Sequence, residues 1–340
     1  MEELVYFYPE GHEKHYERGH PERPERVEVV RDALQAEGIW DPYPKLVPID
    51  LSDELYKTVH SAAYLNLLEL TCKRGGHLDM DTYTTPATWE LAHRAAGGAA
   101  VIASNIWEGK AHRGFALTRP PGHHATHGQG MGFCLMNNIA IAVEYLIRVY
   151  QVKKLAIVDL DLHHGNGTQD IFWMRDDVFY LSIHQYPYYP GTGGLEEIGK
   201  GAGEGWTANF PLSAGSGDKA YTVIMEELIL PLLDQHKPQI ILVSYGFDTH
   251  WLDPLGKLML TANGYGNLIK KLCSWADNHC AGKICLLLEG GYDLNAGKVC
   301  SLAVINAMLG KSWRDPYPCP YEESNSWQSM VARAKMIWRL

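Results

Sequence analysis

The chain has 340 residues, 46% of them hydrophobic, and a formal net charge of −10 from 30 Lys and Arg against 40 Asp and Glu. It has enough apolar residues for a large core, and its acidic balance without a dense Lys/Arg run excludes tight binding to a nucleic-acid backbone or an acidic membrane, while remaining compatible with a basic partner or a cationic substrate. No apolar run is long enough to span a bilayer, the seven cysteines are scattered without a CxxC, and the charged opening MEELVYFYPEGHEKHYERGHPERPER lacks a signal-peptide apolar region, so a cytoplasmic protein with reduced thiols is expected.

In chain order, a helical pattern over 87–107 precedes the strand-like run GFALTRP (114–120). A helix over 138–150 leads into KLAIVDLDL (154–162), and DVFYLSIH (177–184) follows. Next come a helix over 219–235, the run QIILVSYGF (239–247), a helix over 264–278 and the run KICLLLEGG (283–291). Helices over 295–309 and 326–339 close the chain, the last with Ser and Asn near its start as caps. No repeat, low-complexity segment or Ser/Gly-rich linker interrupts the alternation. Apolar strands alternating with helices predict one doubly wound α/β domain over 1–340, its central, mostly parallel sheet flanked by helices.

Each of the five apolar runs ends in unusual chemistry: RPPGHH (119–124), DLDLHHG (159–165), SIHQYPYYPGTGG (182–194), YGFD (245–248) and EGGYD (289–293). Open α/β sheets bind ligands beyond the carboxyl ends of their strands, so five such ends pointing at one crevice predict a site.

In an extended strand alternate residues share a face, which lets Asp161 and His163 grip one ion from the same side, with Asp159 one step deeper. Asp248, at the end of another apolar run, is the best third ligand. Two Asp and one His, with a fourth position left to water, suit an open zinc site; the ligand types alone also admit iron(II), manganese or cobalt. An internal salt-bridge network would explain one acidic pair, but fits poorly with this cluster beside Gly-rich turns. His123 and His124, adjacent at a strand end, read as a general acid/base pair, and Asp159 and Asn166 are available to orient one ring each. Tyr292, after two glycines, is placed to donate to a developing oxyanion. Together these groups suggest hydrolysis of an amide or ester. Gly132, Phe133 and Tyr189 suit the walls of a narrow apolar channel.

The sequence resembles the zinc-dependent histone deacetylase family, which includes acetylpolyamine amidohydrolases and acetoin-utilisation proteins. The resemblance runs from GHPERPERV (19–27) to LEGGYDL (288–294). It is carried by VHSAAYL (59–65), TRPPGHHA (118–125), GFCLMNN (132–138), VDLDLHHGNGTQ (158–169), YPGTGGLEEIGKGAGEG (189–205), SYGFD (244–248), DPLG (253–256) and EGGY (289–292). It implies a single arginase/deacetylase-like domain. It also implies zinc at Asp161, His163 and Asp248, His124 as acid/base with His123 as its electrostatic partner, Tyr292 as oxyanion donor, and Asp159 and Asn166 behind the histidines. By the same resemblance, potassium is expected at Asp159, Asp161, His163, Ser182 and Ile183, and a second monovalent cation at Phe172, Arg175 and Val178. Arg23 would line an internal acetate cavity.

Asn166 stands where class I members carry Asp, which places HHGNG with class II and its bacterial relatives. Tyr189 replaces the usual tunnel Phe, and Tyr245 the usual small residue of SAGFD. Leu255, in DPLG, resembles the gatekeeper position of lysine-directed members, whereas polyamine-selective members carry an acidic residue there. Asp79 and Asp81 fall in a rim segment, where a carboxylate could bind a substrate amide or a polyamine amine. The expected substrate is therefore an acylated lysine or a small N-acyl amine. An acetylpolyamine deacetylase is the alternative enzyme, and a non-hydrolytic acyl-lysine binding module the alternative class. Oligomeric state is left open.

Overall fold

A computed structural model describes residues 1–340. In chain order the strands are β1 (Glu2–Phe7), β2 (Gly76–His77), β3 (Tyr83–Thr84), β4 (Ala111–Ala116), β5 (Leu155–Asp159), β6 (Val178–Gln185), β7 (Thr207–Leu212), β8 (Ile241–Tyr245) and β9 (Ile284–Leu288). The helices are α1 (Glu25–Ala36), α2 (Asp53–Val59), α3 (Ala62–Arg74), α4 (Thr88–Trp107), α5 (Asn138–Tyr150), α6 (Asn166–Phe172), α7 (Asp218–Ile224), α8 (Leu230–His236), α9 (Ala262–His279), α10 (Leu294–Met308) and α11 (Trp327–Trp338). Seven strands form one sheet in the order β1-β4-β9-β8-β5-β6-β7, every pairing parallel. β2 and β3 form a separate antiparallel hairpin.

Alternate strand residues serve two cores, as a doubly covered sheet requires. Ala156 and Val158 enter a larger core with residues of α1, α9, α10 and α11. Leu155 and Ile157 enter a smaller one with residues of α2 to α5. In that smaller layer Gly97 and Gly98 of α4 allow close approach: an added Cβ would lie 2.3 Å from the Ile49 carbonyl oxygen or 2.3 Å from the Phe7 ring. No helix is long and apolar enough to cross a membrane, and all seven cysteines are free.

After β5 the chain winds outward through β6 and β7, then returns to the other side of β5 as β8. The β5–β8 junction is thus the switch point of the sheet, where a crevice opens between diverging connections.

The predicted α5 matches residue for residue. The helix expected over 219–235 is interrupted by a π turn at Met225–Ile229, just before Pro231, which lacks the N–H its own position would need. Strands β1 and β7 were not among the expected runs, although Leu4–Phe7 of β1 is an unbroken, buried, β-prone stretch. Both are edge strands, and β7 contains Pro211, tolerated only where one side of a strand needs no ladder bond. The run expected as a strand to 162 stops at Asp159; Asp161, Leu162 and His163 form a bend. A bend, rather than strand alternation, therefore brings Asp161 and His163 together.

Candidate active site

The bend after β5 is held by its own carboxylates: Asp159 Oδ1 accepts the Asp161 N–H at 3.2 Å, and Asp161 Oδ1 the His163 N–H at 2.9 Å. From the end of β8, Asp248 Oδ1 accepts the Leu162 N–H at 3.0 Å, and from the end of β9 the Gly290 N–H donates to Asp161 Oδ2 at 2.8 Å. These bonds converge ligand atoms of Asp161, His163 and Asp248 to within 4.8 Å of one another. His163 Nδ1 lies 3.3 Å from Asp161 Oδ1 and 3.2 Å from Asp248 Oδ2. Asp248 Oδ2 is buried and makes no hydrogen bond. A Cβ at Gly246 would sit 2.0 Å from Asp161 Oδ2, and one at Gly290 2.4 Å from Asp248 Oδ2, so only glycine permits this close cradle.

The electrostatics also draw positive charge to this point. Burial opposes charge on His163, but the adjoining Asp161 and Asp248 carboxylates push its pKa up to about 9. Burial, then the neighbouring Asp161 charge, raises Asp248. Buried carboxylates with an unsatisfied oxygen are costly unless a positive charge joins them. The donor set, the bare oxygen and the glycine cradle therefore fit a divalent ion with an open position.

His123 and His124 follow β4, with ring centroids 4.1 Å apart. His123 Nδ1 faces Asp159 Oδ2 at 3.1 Å, and His124 Nδ1 faces Asn166 Oδ1 at 2.7 Å. Against the effect of burial, the Asp161 and Asp159 charges push His123 up to about 10. Burial, with the His123 and His163 charges, takes His124 well below its ordinary value. The pair is thus pulled apart, His123 toward its charged form and His124 toward its neutral form.

Both His124 and Tyr292 face a cleft of about 430 Å³ that also exposes His163. Gly132, Phe133, Tyr189 and Leu255 line it, as does Asp81. Phe133 holds a left-handed φ of 68°, uncommon for a bulky side chain, and its ring meets Tyr292 edge-on at 5.6 Å. Tyr188, which sequence reasoning missed, stacks on His163 at 5.8 Å and donates its hydroxyl hydrogen to the Leu255 carbonyl at 2.9 Å. The doubled tyrosine of YPYYPGTGG was the available signal, of which only Tyr189 was singled out.

Arg23 is half-buried and lines a separate pocket of about 260 Å³ with Tyr16, Pro254 and Tyr292. The fully buried guanidinium beneath Tyr292 is that of Arg26, 5.0 Å from its ring. Arg26 donates to Glu22 and to the carbonyls of Glu289 and Gly291. The first turn of α1 explains the difference, because it carries Arg26 inward.

Asp159 pairs in register with Ser182 across β5 and β6. Asp159, Asp161, His163, Ser182 and Ile183 are all buried. The Phe172 carbonyl accepts the Arg175 N–H at 3.0 Å, Arg175 pairs with Glu144 and Asp177, and Val178 opens β6. His164 faces away from the cleft, bonded to Thr192 and Gln169. Tyr245 packs in the larger core, edge-on to Tyr265 at 5.6 Å.

The seven-stranded parallel sheet carries its cleft at the switch point, and the chain has the arginase/deacetylase fold of the histone deacetylase domain it superposes on. The histone deacetylase domain is matched over residues 20–308, and the chain belongs to the histone deacetylase family. It is 42% identical over 294 residues to a probable deacetylase of Archaeoglobus fulgidus, covering 86% of this chain and 82% of that protein. It is 36% identical over 302 residues to a histone deacetylase-like amidohydrolase of Pseudomonas aeruginosa, covering 88% and 80% respectively. The crystal structure of the HDA15 HD domain superposes with a TM-score of 0.91 at 33% identity, covering 99% of this chain and 94% of that one.

Proposed function

We propose that the chain hydrolyses N-acyl amides and removes acetyl or other short acyl groups from lysine-type side chains. The observation carrying this reading is that His124, Tyr292 and His163, a member of the triad with Asp161 and Asp248, face one aromatic-walled cleft. Zinc held by Asp161, His163 and Asp248 would polarise the acyl carbonyl and make a bound water more acidic. The Asn166 carbonyl oxygen can only accept, so it selects the Nδ1–H form of His124 and leaves Nε2 free as the proton acceptor. The same nitrogen then returns the proton to the leaving amine. His123, held cationic between Asp159 and Asp161, stabilises negative charge arising beside it. The Tyr292 hydroxyl donates to the carbonyl oxygen as that oxygen gains charge. Phe133 and Tyr189 enclose the apolar stem of the substrate and exclude water. Potassium around Asp159 and Ser182, and a second monovalent cation near Phe172 and Val178, belong to the same reading through the family resemblance.

Acetate release from a matched panel tests the proposal: acetyl-lysine peptides, longer acyl-lysines and acetylated polyamines. Retention of acyl ligand without acetate release would identify a binding module instead. Acetylpolyamine hydrolysis is the second reading, favoured by the Asp81 carboxylate in the cleft wall. Leu255, on the same wall, favours the lysine reading because it offers an ammonium no partner.

A further inference from the structure

We propose that Asp253 is a positioning residue that fixes the Tyr292 backbone and joins it to the mouth of the cleft at Leu255. The inference rests on the reading of Tyr292 as oxyanion donor. Asp253 is only 5% exposed and forms no ion pair. Its Oδ2 accepts the N–H of Tyr292 at 2.6 Å and of Asp293 at 3.0 Å, while its Oδ1 accepts the Leu255 N–H at 3.0 Å. Burying a carboxylate with no cation is unfavourable; three backbone donors from two loops offset that cost and define what the group holds.

Tyr292 needs such an anchor. Gly290 and Gly291 precede it, Gly291 with a φ of 113° open to few other residues. Tyr292 itself lines the cleft. From the opposite side, Arg26 grips the carbonyls of Glu289 and Gly291. The segment is thus held at its carbonyls by a guanidinium and at its amides by a carboxylate. Asp293 then caps α10 by accepting the Ala296 N–H at 2.8 Å, extending the fixed geometry into that helix. At the mouth, Asp253 takes the Leu255 N–H while Tyr188 donates to the Leu255 carbonyl. One carboxylate therefore couples the cleft wall to the phenol.

The test is a double-mutant cycle with Asp253→Ala, Asp253→Asn and Tyr292→Phe, assayed on an acetyl-lysine peptide and accompanied by hydrogen exchange of the segment around Tyr292. Asp253→Ala should lower kcat about 10- to 100-fold, the scale of a roughly 1 Å misplacement, with KM little changed. Asp253→Asn, which keeps one acceptor, should fall between parent and Ala, and it carries the cycle if the Ala variant does not fold. Combined with Tyr292→Phe, neither substitution should slow turnover further. Exchange around Tyr292 should quicken while metal content stays at the parental level. Losses that multiply in the double variant, or unchanged exchange, would overturn the positioning role while leaving Tyr292 as donor. A Tyr292→Phe enzyme at the parental rate would instead remove the donor reading, and this inference with it.

Discussion

Two groups of metal-ligand residues adjoin at the switch point, Asp161–His163–Asp248 and His123–Cys134–Glu289. In the second, Glu289 Oε2 accepts the N–H of Gly122 and His123, Oε1 accepts the Ser244 hydroxyl, and His123 faces Asp159. Burial and the Glu289 charge keep the Cys134 thiol well above its ordinary pKa, and burial pushes Glu289 up to about 7. In the first group Asp248 Oδ2 has no hydrogen bond, and one imidazole nitrogen confronts two carboxylates. Ligand-type residues in proximity therefore do not define a metal site. Lone pairs left without donors do, since those are what an ion must satisfy.

The largest expected effect separates the groups directly. Asp248→Ala should lose both bound metal and hydrolysis, because two ligands hold zinc poorly, whereas Glu289→Gln should retain metal. Chelation should abolish hydrolysis and added zinc restore it. Metal analysis of the two variants decides the contrast, and metal loss from Glu289→Gln would erase it.

Next in size is Tyr292→Phe, which removes from the cleft lining a hydroxyl that makes no hydrogen bond within the protein. Turnover should fall about 100- to 1000-fold with far less change in substrate binding. Steady-state kinetics within a fewfold of the parent would mean that the free hydroxyl is not part of the chemistry.

A smaller effect concerns selectivity. With Leu255 at the mouth, kcat/KM should favour an acetyl-lysine peptide over terminal and internal acetylpolyamines. A preference of tenfold or more for polyamines, about 1.4 kcal/mol in transition-state binding, would transfer the deciding role to Asp81.

The last expected effect touches stability and not turnover, at a histidine as fully partnered as Glu289. His60 Nδ1 faces the Thr126 carbonyl at 2.8 Å, and Nε2 accepts the Asn137 N–H at 2.9 Å, so the neutral ring is built in. Burial lowers its pKa from 6.5 to about 4. Between those values the unfolded chain binds more protons, so stability is present above pH 6.5 and lost as pH falls toward 4. His60 should contribute about 1.4 kcal/mol of that loss per pH unit. Denaturant unfolding across this window should show a shallower pH slope in His60→Gln; an equal slope would remove His60 as the titrating group.

The helix at Asn138–Tyr150 and the runs feeding β5, β8 and β9 were legible because local periodicity records which faces are buried. Asp161, His163, Asp248, His123, His124 and Tyr292 were legible because ionisable or polar groups at the ends of apolar runs are costly without a task. Sequence could not show that β5 ends at Asp159, that Arg26 rather than Arg23 turns inward, or that Tyr188 joins the wall. Nor could it show that Asp248 braces Leu162 from 86 residues away, or that Asp253 holds Tyr292. Those outcomes depend on strand order and loop approach between distant segments, and a hydrogen bond acquires its partner only when tertiary packing brings the two groups within reach.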